Sequence, residues 1–509
     1  MGYTTTPIDQ IPLIRSELQK AFRSGKTRPI AYRKQQLLAL AYLVKDNIKL
    51  FQEALAADLG RHFVETSVLE LGSTLTDAKV AYDNVTKWSK TERASWSFNW
   101  FLMKPTLRKE PKGVVLIISP FNYPIWLSLG PLAGAIAAGN AVVLKPSEQT
   151  PAYSALLAEL VEKYLDNDVV KVIIGAVPET TKVLELPWDH ILYTGGGRVA
   201  RIVLTAAAQT LTPVTTELGG KSPVFIDPNC DLKTAARRLM WGKVSNAGQT
   251  CVAPDYVLVQ REFVPKLVEA CKQVLNKFFP EGAEKSDSFS RIISISQFER
   301  ITGLLKSTKG EIVYGGGSNA DKKFIEPTIV IGVDGADSLM SEEIFGPILP
   351  IVPVDSLDEA IEFVNARDHP LALYVFSQDP KFKAKVFDNT QSGSAVANEC
   401  MLQTVAEGLP FGGIGPSGSG AHTGKFTFDI FTHVRASLDN PSWLDMIMSG
   451  RYPPYTVGKK SQALEALTFP SLPPRNAGNR RWGKWFLFAL AVALSSSGVL
   501  MFRARVRSA

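Results

Sequence analysis

The chain is expected to fold as an α/β protein with two doubly wound, Rossmann-like domains. Three observations predict this. From residue 112 onward, short apolar runs alternate with runs of helical period. A second alternating series begins near 221, just past the glycine pair of TELGGKSP (216–223). Between them, YTGGGRVARIV (193–203) joins a strand to a helix through three glycines. Short apolar strands alternating with helices require a parallel sheet covered on both faces.

Residues 8–90 read as helical. AYRKQQLLALAYLVKDNIKLFQEALAADLG (31–60) carries apolar residues at three- and four-residue steps and ends in Gly60, so one amphipathic helix closed by a glycine is expected. SWSFNWFLMKPTLRKEP (95–111) is aromatic, lacks helical period and reads as an extended arm or hairpin. KGVVLIIS (112–119), NAVVLKPS (140–147), VVKVIIG (169–175) and DHILYTG (189–195) are the strands of the first series. IWLSLGPLAGAIAAG, PAYSALLAELVEKYL and GGRVARIVLTAAA are its helices. In the second series, SPVFIDP, YVLVQ, LPIVPV (349–354) and LALYVFS (371–377) are strands. DLKTAARRLMWGK, REFVPKLVEACKQVLNKFF and Ser356–Ala366 are the helices between them. The join falls near 218–222. It separates a domain over 1–218, with an extended arm at 95–108, from one over 219–404. A return segment and second arm follow at 405–440, then a proline-rich tether over 441–481, then a hydrophobic helix and basic tail over 482–509.

The totals narrow the function. At 509 residues the chain exceeds what one small core organises. Its net charge of +7 comes from Lys and Arg scattered over the body, with no basic stripe, so nucleic acid is not an expected partner. The four cysteines, Cys230, Cys251, Cys271 and Cys400, form no CxxC pair and no Cys/His ligand spacing, so no metal site is expected. The N-terminal stretch has no apolar signal region, and free thiols in a reducing compartment are expected.

Cys251 stands apart from the other cysteines. It closes NAGQTC, where small residues let the backbone run close to a bound molecule. A nucleophilic cysteine must be reachable and must attack as a thiolate. Cys271 falls instead in a periodic helix, and Cys230 in the turn DPNCDL. Glu217 of TELGGKSP sits at a strand end and can act as a general base if partly buried. Asn122 of SPFNYP follows the carboxyl end of the first strand, where doubly wound sheets bind ligands, and its amide can hold an oxyanion. Taken singly, Glu217 is as readily a surface charge and Asn122 a turn residue.

SPFNYP, LKPSEQTP, TELGGKSP, NAGQTCVAP, EEIFGPILP and LPFGGIGPSG occur in this order, and together they resemble the aldehyde dehydrogenase superfamily over roughly 10–440. The wording NAGQTCVAPDYVL is similar to the class 3 branch, which includes fatty aldehyde dehydrogenases. The resemblance implies that Cys251 attacks an aldehyde and forms a thiohemiacetal. Asn122 and the Cys251 N–H would bind its oxyanion, hydride would pass to a nicotinamide, and Glu217 would activate the water that hydrolyses the thioester. It further implies that Lys145 and Glu148 of KPSE contact the adenine ribose, which favours NAD over NADP. Glu343 and Phe345 would meet the nicotinamide end, and Tyr123 and Phe411 would line the substrate pocket. Gly195, Gly197 and Ala200 fit G-x-G-x-x-G/A beside the pyrophosphate. The family usually has a polar residue at Gly196 and glycine at Ala200. AHTGK (421–425) places His422 one position before the histidine of fatty aldehyde relatives, so His422 is expected at the surface or on a helix cap, without a catalytic role. A homodimer is implied, with 95–108 and 426–440 as its arms.

WFLFALAVALSSSGVLMF (485–502) carries no charge and is flanked by Arg480, Arg481, Lys484, Arg503, Arg505 and Arg507. As a helix it would span about 27 Å, near the hydrocarbon thickness of a bilayer. The expected partners are therefore a lipid bilayer and a long-chain aldehyde. The enzyme would face the cytosol on the mitochondrial outer membrane or peroxisome, with ER and lipid-droplet surfaces as alternatives. The rival readings are oxidation of a small aromatic aldehyde, such as a quinone-biosynthesis intermediate, and a non-catalytic scaffold on the same fold.

Overall fold

The computed structural model describes residues 4–475 except 456, 471 and 474. It forms two units. One takes in the chain up to Glu92 together with Leu107–Ala436; the other takes in Arg93–Thr106 and the described residues from Ser437 on.

Two sheets organise the first unit. The six-stranded sheet has the order Gly418–Ser419, Val214–Glu217, His190–Thr194, Val114–Ile118, Ala141–Lys145, Val170–Val172. All its pairings are parallel except that of Gly418–Ser419. Every residue of Val114–Ile118 and of Ala141–Lys145 is buried, which explains why these strands read as unbroken apolar runs. The seven-stranded sheet runs Glu311–Tyr314, Thr328–Ile331, Ile348–Val354, Tyr256–Gln260, Pro223–Ile226, Ala372–Phe376, Ser394–Ala397. It is parallel apart from Glu311–Tyr314.

Strand order locates the site. In the six-stranded sheet the chain steps outward from Val114–Ile118 to Ala141–Lys145 and Val170–Val172, then returns to His190–Thr194 on the other side. The sheet therefore reverses between Val114–Ile118 and His190–Thr194, and ligands of doubly wound sheets bind beyond the carboxyl ends at such a point. The loops leaving those ends are the ones carrying Asn122 and Gly195–Gly197.

Several elements differ from expectation. The single helix expected over 31–60 is two, Ile30–Lys45 and Ile48–Leu59. Asn47 breaks it: its side-chain amide donates to the Leu43 carbonyl at 2.8 Å, competing with the helical ladder. Gly60 does close the second helix, in the left-handed conformation with φ 61°. The strand expected at 169–175 covers only Val170–Val172. Thr328–Ile331 and Ser394–Ala397 were not anticipated; the second is only half-buried and lies at a sheet edge.

In the second unit the aromatic stretch takes the hairpin form of the two expected. It doubles back through a tight turn at Phe101–Met103, and the Ala94 N–H bonds the Pro105 carbonyl at 3.0 Å. Trp96, Phe98 and Trp100 stay exposed. The tether expected over 441–481 contains a helix, Lys459–Thr468, because KKSQALEALT is dense in strong helix formers. The hydrophobic helix expected at 485–502 lies outside the described residues. Among the described residues no helix is long and apolar enough to cross a membrane.

Candidate active site

The cysteine loop is shaped by its backbone. The helix Leu232–Val244 ends in a turn where Asn246, Ala247 and Gly248 adopt left-handed φ values of 51°, 52° and 75° in succession. Only glycine fits the third position, because a Cβ there would lie 2.3 Å from the Gly346 carbonyl oxygen. Gln249 then stitches the loop down, with Nε2 donating to Asn246 O and Arg291 O at 3.0 Å each. Its Oε1 accepts from Ile293 N at 2.9 Å. Cys251 follows, a free thiol, partly exposed.

Glu217 closes its strand and is 2% exposed. Its backbone carbonyl accepts from Gly195 N at 3.0 Å, joining it to the glycine loop. Both of its carboxylate oxygens are buried without a hydrogen-bond partner among the described residues. Burial alone holds its pKa well above the usual carboxylate range. Glu343 approaches through Gly219, where a Cβ would lie 2.0 Å from the carboxylate. Burial, then the charge of Asp255, pushes Glu343 up to about 8, against a Gly220 backbone hydrogen bond and the charges of Lys221 and Arg300.

The loop carrying Glu343 is anchored by residues whose roles the sequence did not disclose. Lys221 bridges Asp255 at 2.5 Å and donates to the carbonyls of Leu339 and Glu342 at 2.7 and 2.9 Å. Asp255 accepts from Ile344 N at 3.0 Å. Arg300 pairs with Glu342 at 2.9 Å and donates to Ile344 O at 2.8 Å. Lys221 stood inside a quoted motif, whereas Arg300 lies in a stretch that offered no motif. Phe345 holds a positive φ of 48°, rare for an aromatic residue and typical of a constrained functional loop, and meets Phe121 edge-on at 5.9 Å.

Cys251 opens on two cavities. One, of about 340 Å³, is lined by Asn122, Gly195, Gly196, Glu217, Glu343, Phe345 and Phe411 among others. The second, of about 70 Å³, is walled by Leu69, Tyr123, Trp126, Met401, Val405 and Phe411. Beyond it lies a larger one of about 610 Å³, which shares Val68, Trp126, Thr404 and Val405 with it. The structure thus brings together Asn122, Glu217, Cys251, Glu343, Phe345, Gly195 and Gly196, with Tyr123 and Phe411 on the apolar side. Lys145, Glu148, Gly197 and Ala200 do not line the cavity that contains Cys251. Lys145 is 3% exposed and donates to Pro146 O at 3.1 Å and Glu148 at 3.4 Å. Gly197 begins the helix Gly197–Ala208, and Ala200 is buried on it.

One expectation is corrected. His422 is neither at the surface nor a helix cap. It is 2% exposed, sits edge-on to Phe411 at 5.2 Å, and its Nε2 has no partner among the described residues. Its backbone exchanges hydrogen bonds with Phe411 at 2.9 and 2.7 Å, and this pulls the ring inward. Burial depresses its pKa to about 4, so the ring is neutral. The surroundings of Cys251, partly exposed as it is, oppose the thiolate with which it must attack. Burial, then the like charges of Glu343 and Glu217, raises its pKa, against the backbone N–H groups of Cys251 and Val252.

The sequence model of the "Aldehyde dehydrogenase family" matches residues 9–437. The chain is 46% identical over 439 residues to aldehyde dehydrogenase family 3 member B1 of Bos taurus, covering 86% of this chain and 93% of that protein. It is 43% identical over 447 residues to "Aldehyde dehydrogenase, dimeric NADP-preferring" of Canis lupus familiaris, covering 88% and 98%. Among solved structures, the substrate-bound state of Staphylococcus aureus AldH superposes with a TM-score of 0.86 at 38% identity, covering 91% of this chain and all of that one. The NAD+ complex of an aldehyde dehydrogenase from Bacillus cereus superposes at 0.78 with 27% identity, covering 85% and 89%.

Proposed function

Because this chain belongs to the aldehyde dehydrogenase family, we propose that it is an oxidoreductase that converts long-chain aliphatic aldehydes to carboxylic acids with NAD. The observation that carries the reading is the position of Cys251 between a polar cavity holding Asn122, Glu217 and Glu343 and an apolar one. The aldehyde carbon reaches the sulfur from the apolar side. The Asn122 amide and the Cys251 N–H stabilise the oxyanion of the thiohemiacetal. The thiol proton leaves to a carboxylate, Glu217 or Glu343, in its ionised form, and passes on to solvent before hydrolysis; burial raises both pKa values and makes each a stronger base once ionised. After oxidation to the thioester, Glu217 takes a proton from the attacking water and the acid leaves.

The residues present fit a nicotinamide dinucleotide. Gly195 and Gly196 open a helix N-terminus at the sheet's reversal point, and a Cβ at Gly196 would meet nothing within 4 Å, so a pyrophosphate has room to approach. Bound NAD supplies the hydride acceptor. Gly195, Gly196, Glu343 and Phe345 would hold its nicotinamide half, with Lys145 and Glu148 toward the adenine ribose. Glu148 disfavours a 2′-phosphate, so NADP is the weaker cofactor.

Chain-length preference rests on the apolar walls and on residues 485–502, whose uncharged run between basic flanks suits a lipid surface. We assign the protein to a membrane through that segment, with the catalytic part facing the cytosol at the mitochondrial outer membrane or peroxisome. A homodimer fits the "dimeric" relative. The deciding assay is NADH formation with hexanal and hexadecanal. The expected kcat/KM is roughly tenfold or more higher for hexadecanal, since burying about two of its extra methylenes at about 0.8 kcal/mol each already reaches that factor. Equal values would remove the lipid assignment and leave aldehyde oxidation standing. Tyr123, Trp126 and Phe411 around the small cavity also suit an aromatic ring, so 4-hydroxybenzaldehyde belongs in the same assay. Deleting 481–509 should move the protein from the membrane to the soluble fraction.

A further inference from the structure

Two loops carry the reacting groups, 119–124 with Asn122 and 246–251 with Cys251. Both are tied to one stretch, Arg61–Leu71, that none of the quoted motifs touches. Arg61 is among the largest fully buried side chains. One of its terminal nitrogens donates to the backbone carbonyl of Asn122 and the other to the Glu70 carboxylate. The guanidinium also lies 4.9 Å from the centre of the Tyr123 ring. The second carboxylate oxygen of Glu70 accepts from Ile125 N at 2.7 Å and Trp126 N at 3.1 Å, fixing the start of the helix Pro124–Ala138.

The nucleophile's loop meets the same point. Asn246 donates from Nδ2 to that same Asn122 carbonyl at 2.9 Å and to Gln249 O at 2.9 Å. The Asn246 N–H donates to Glu65, one turn before Glu70. A single carbonyl oxygen is therefore gripped by Arg61 on one side and by the cysteine loop on the other. Glu70 reaches its partners from a π-helical turn, Ser67–Leu71, inserted between two α-helical segments. Such insertions are rare and recur at functional sites.

A buried ion pair is a weak source of stability, because desolvation offsets much of the attraction. Here Glu70 is pushed up to about 7 by burial even with Arg61 beside it. What the pair supplies is geometry, since a guanidinium holds two acceptors in a fixed fork that lysine cannot reproduce. We propose that Arg61 and Glu70 are positioning residues that lock the Asn122 peptide, and through it the Asn122 amide, against Cys251. This rests on the reading of Asn122 as the oxyanion donor.

The test is a double-mutant cycle on the full chain. Glu70→Gln keeps the shape but leaves one acceptor oxygen where Glu70 uses two, so either Arg61 or the N–H groups of Ile125 and Trp126 lose their partner. It should lower kcat roughly 10- to 100-fold, the scale of a small misplacement of reacting groups, and leave KM for NAD unchanged. The isotope effect with 1-deuterated hexanal should fall, because thiol attack, which develops the oxyanion, slows while a less stabilised alkoxide still expels hydride readily. In an Asn122→Ala background, Glu70→Gln should cost little more, because both act through one interaction. If the two losses instead multiply, or if Glu70→Gln raises KM for NAD at unchanged kcat, the positioning role is overturned. Should Glu70→Gln not fold, Arg61→Lys takes its place in the same cycle. An Asn122→Ala enzyme with full turnover would sink the oxyanion reading itself, and the positioning role with it.

Discussion

The two faces of Cys251 are built differently. The polar face is held by glycines and charge. Gly219 and Gly248 admit Glu343 and the Gly346 carbonyl at distances no side chain would allow, and Lys221, Asp255 and Arg300 pin the loop behind them. The apolar face presents hydrocarbon and aromatic walls, Leu69, Trp126, Met401, Val405 and Phe411, drawn from distant parts of the chain, with hydrogen bonds only behind them, as where Trp126 Nε1 donates to Asp77 at 2.9 Å. Chemistry that develops charge demands fixed donors and acceptors, whereas a hydrocarbon demands only shape and dryness. Changes on the polar face should therefore act on rate, and changes on the apolar face on substrate choice.

The largest break comes at the shared atom. Cys251→Ala should abolish turnover, by about a thousandfold or more, while leaving both cavities in place. Cys271→Ala should keep activity, because Cys271 is a fully buried helix residue in the core. Glu217→Gln should separate the two half-reactions. A burst of about one NADH per site followed by a stall, read by stopped-flow absorbance, is expected when thioester hydrolysis loses its base.

Next is the pH dependence of the polar face. A carboxylate works as a base only when deprotonated, and both Glu217 and Glu343 are raised. The acid limb of kcat should thus fall across neutrality, not near the ordinary carboxylate pKa. Activity should rise as pH climbs toward about 8, the value to which Glu343 is pushed. Glu343→Gln removes a negative charge facing Cys251, so the pH profile of thiol alkylation by iodoacetamide should move to lower pH. A shift to higher pH would contradict the like-charge account of the raised thiol.

On the apolar face the expected effect is smaller and selective. Met401→Trp fills space beside Cys251 and should lower kcat/KM for hexadecanal roughly tenfold, with propanal changed by less than about threefold. Equal losses for both aldehydes would mean that long chains reach the sulfur by another route.

The same contrast decides what could be read in advance. NAGQTC, TELGGKSP and SPFNYP were legible because close backbone approach and charge restrict the residue types allowed at each position. The strands Val114–Ile118 and Ala141–Lys145 were legible because burial on both faces leaves an unbroken apolar run. The apolar cavity was not, since leucine, methionine or valine serve equally and Leu69, Val252 and Met401 lie far apart in sequence. Arg61 and Glu70 were missed for a related reason: RHFVETSVLE falls within the stretch 8–90 read only as helical, and nothing local sets the two charges apart. Their burial depends on the π-helical turn and on the Asn122 loop, which no local pattern shows. His422 went wrong because its inward turn comes from backbone pairing with Phe411, a contact between two glycine-flanked loop segments.

The mildest test concerns the far end of the polar face, where the residues expected to hold the cofactor stand apart from Cys251. Lys145 is buried and bonds to Glu148 at 3.4 Å, while the Glu148 side chain is 43% exposed. Half-exposed charges act weakly through solvent. Glu148→Gln should therefore raise the NADP-to-NAD ratio of kcat/KM only several-fold, with kcat on NAD nearly unchanged. On the proposed reading the carboxylate would disfavour a 2′-phosphate by repulsion, and it does not line the cavity at Cys251. Lys145 supplies the control. Its amine is lowered by burial and partly restored by Glu148, so removing that carboxylate leaves a less basic amine where the ribose would lie. A gain in NADP use with no fall in kcat confines Glu148 to selecting the ribose. A matching fall in kcat would mean that the adenine end is coupled to the chemistry at Cys251, and the division between a rate-setting face and a binding periphery would have to be redrawn.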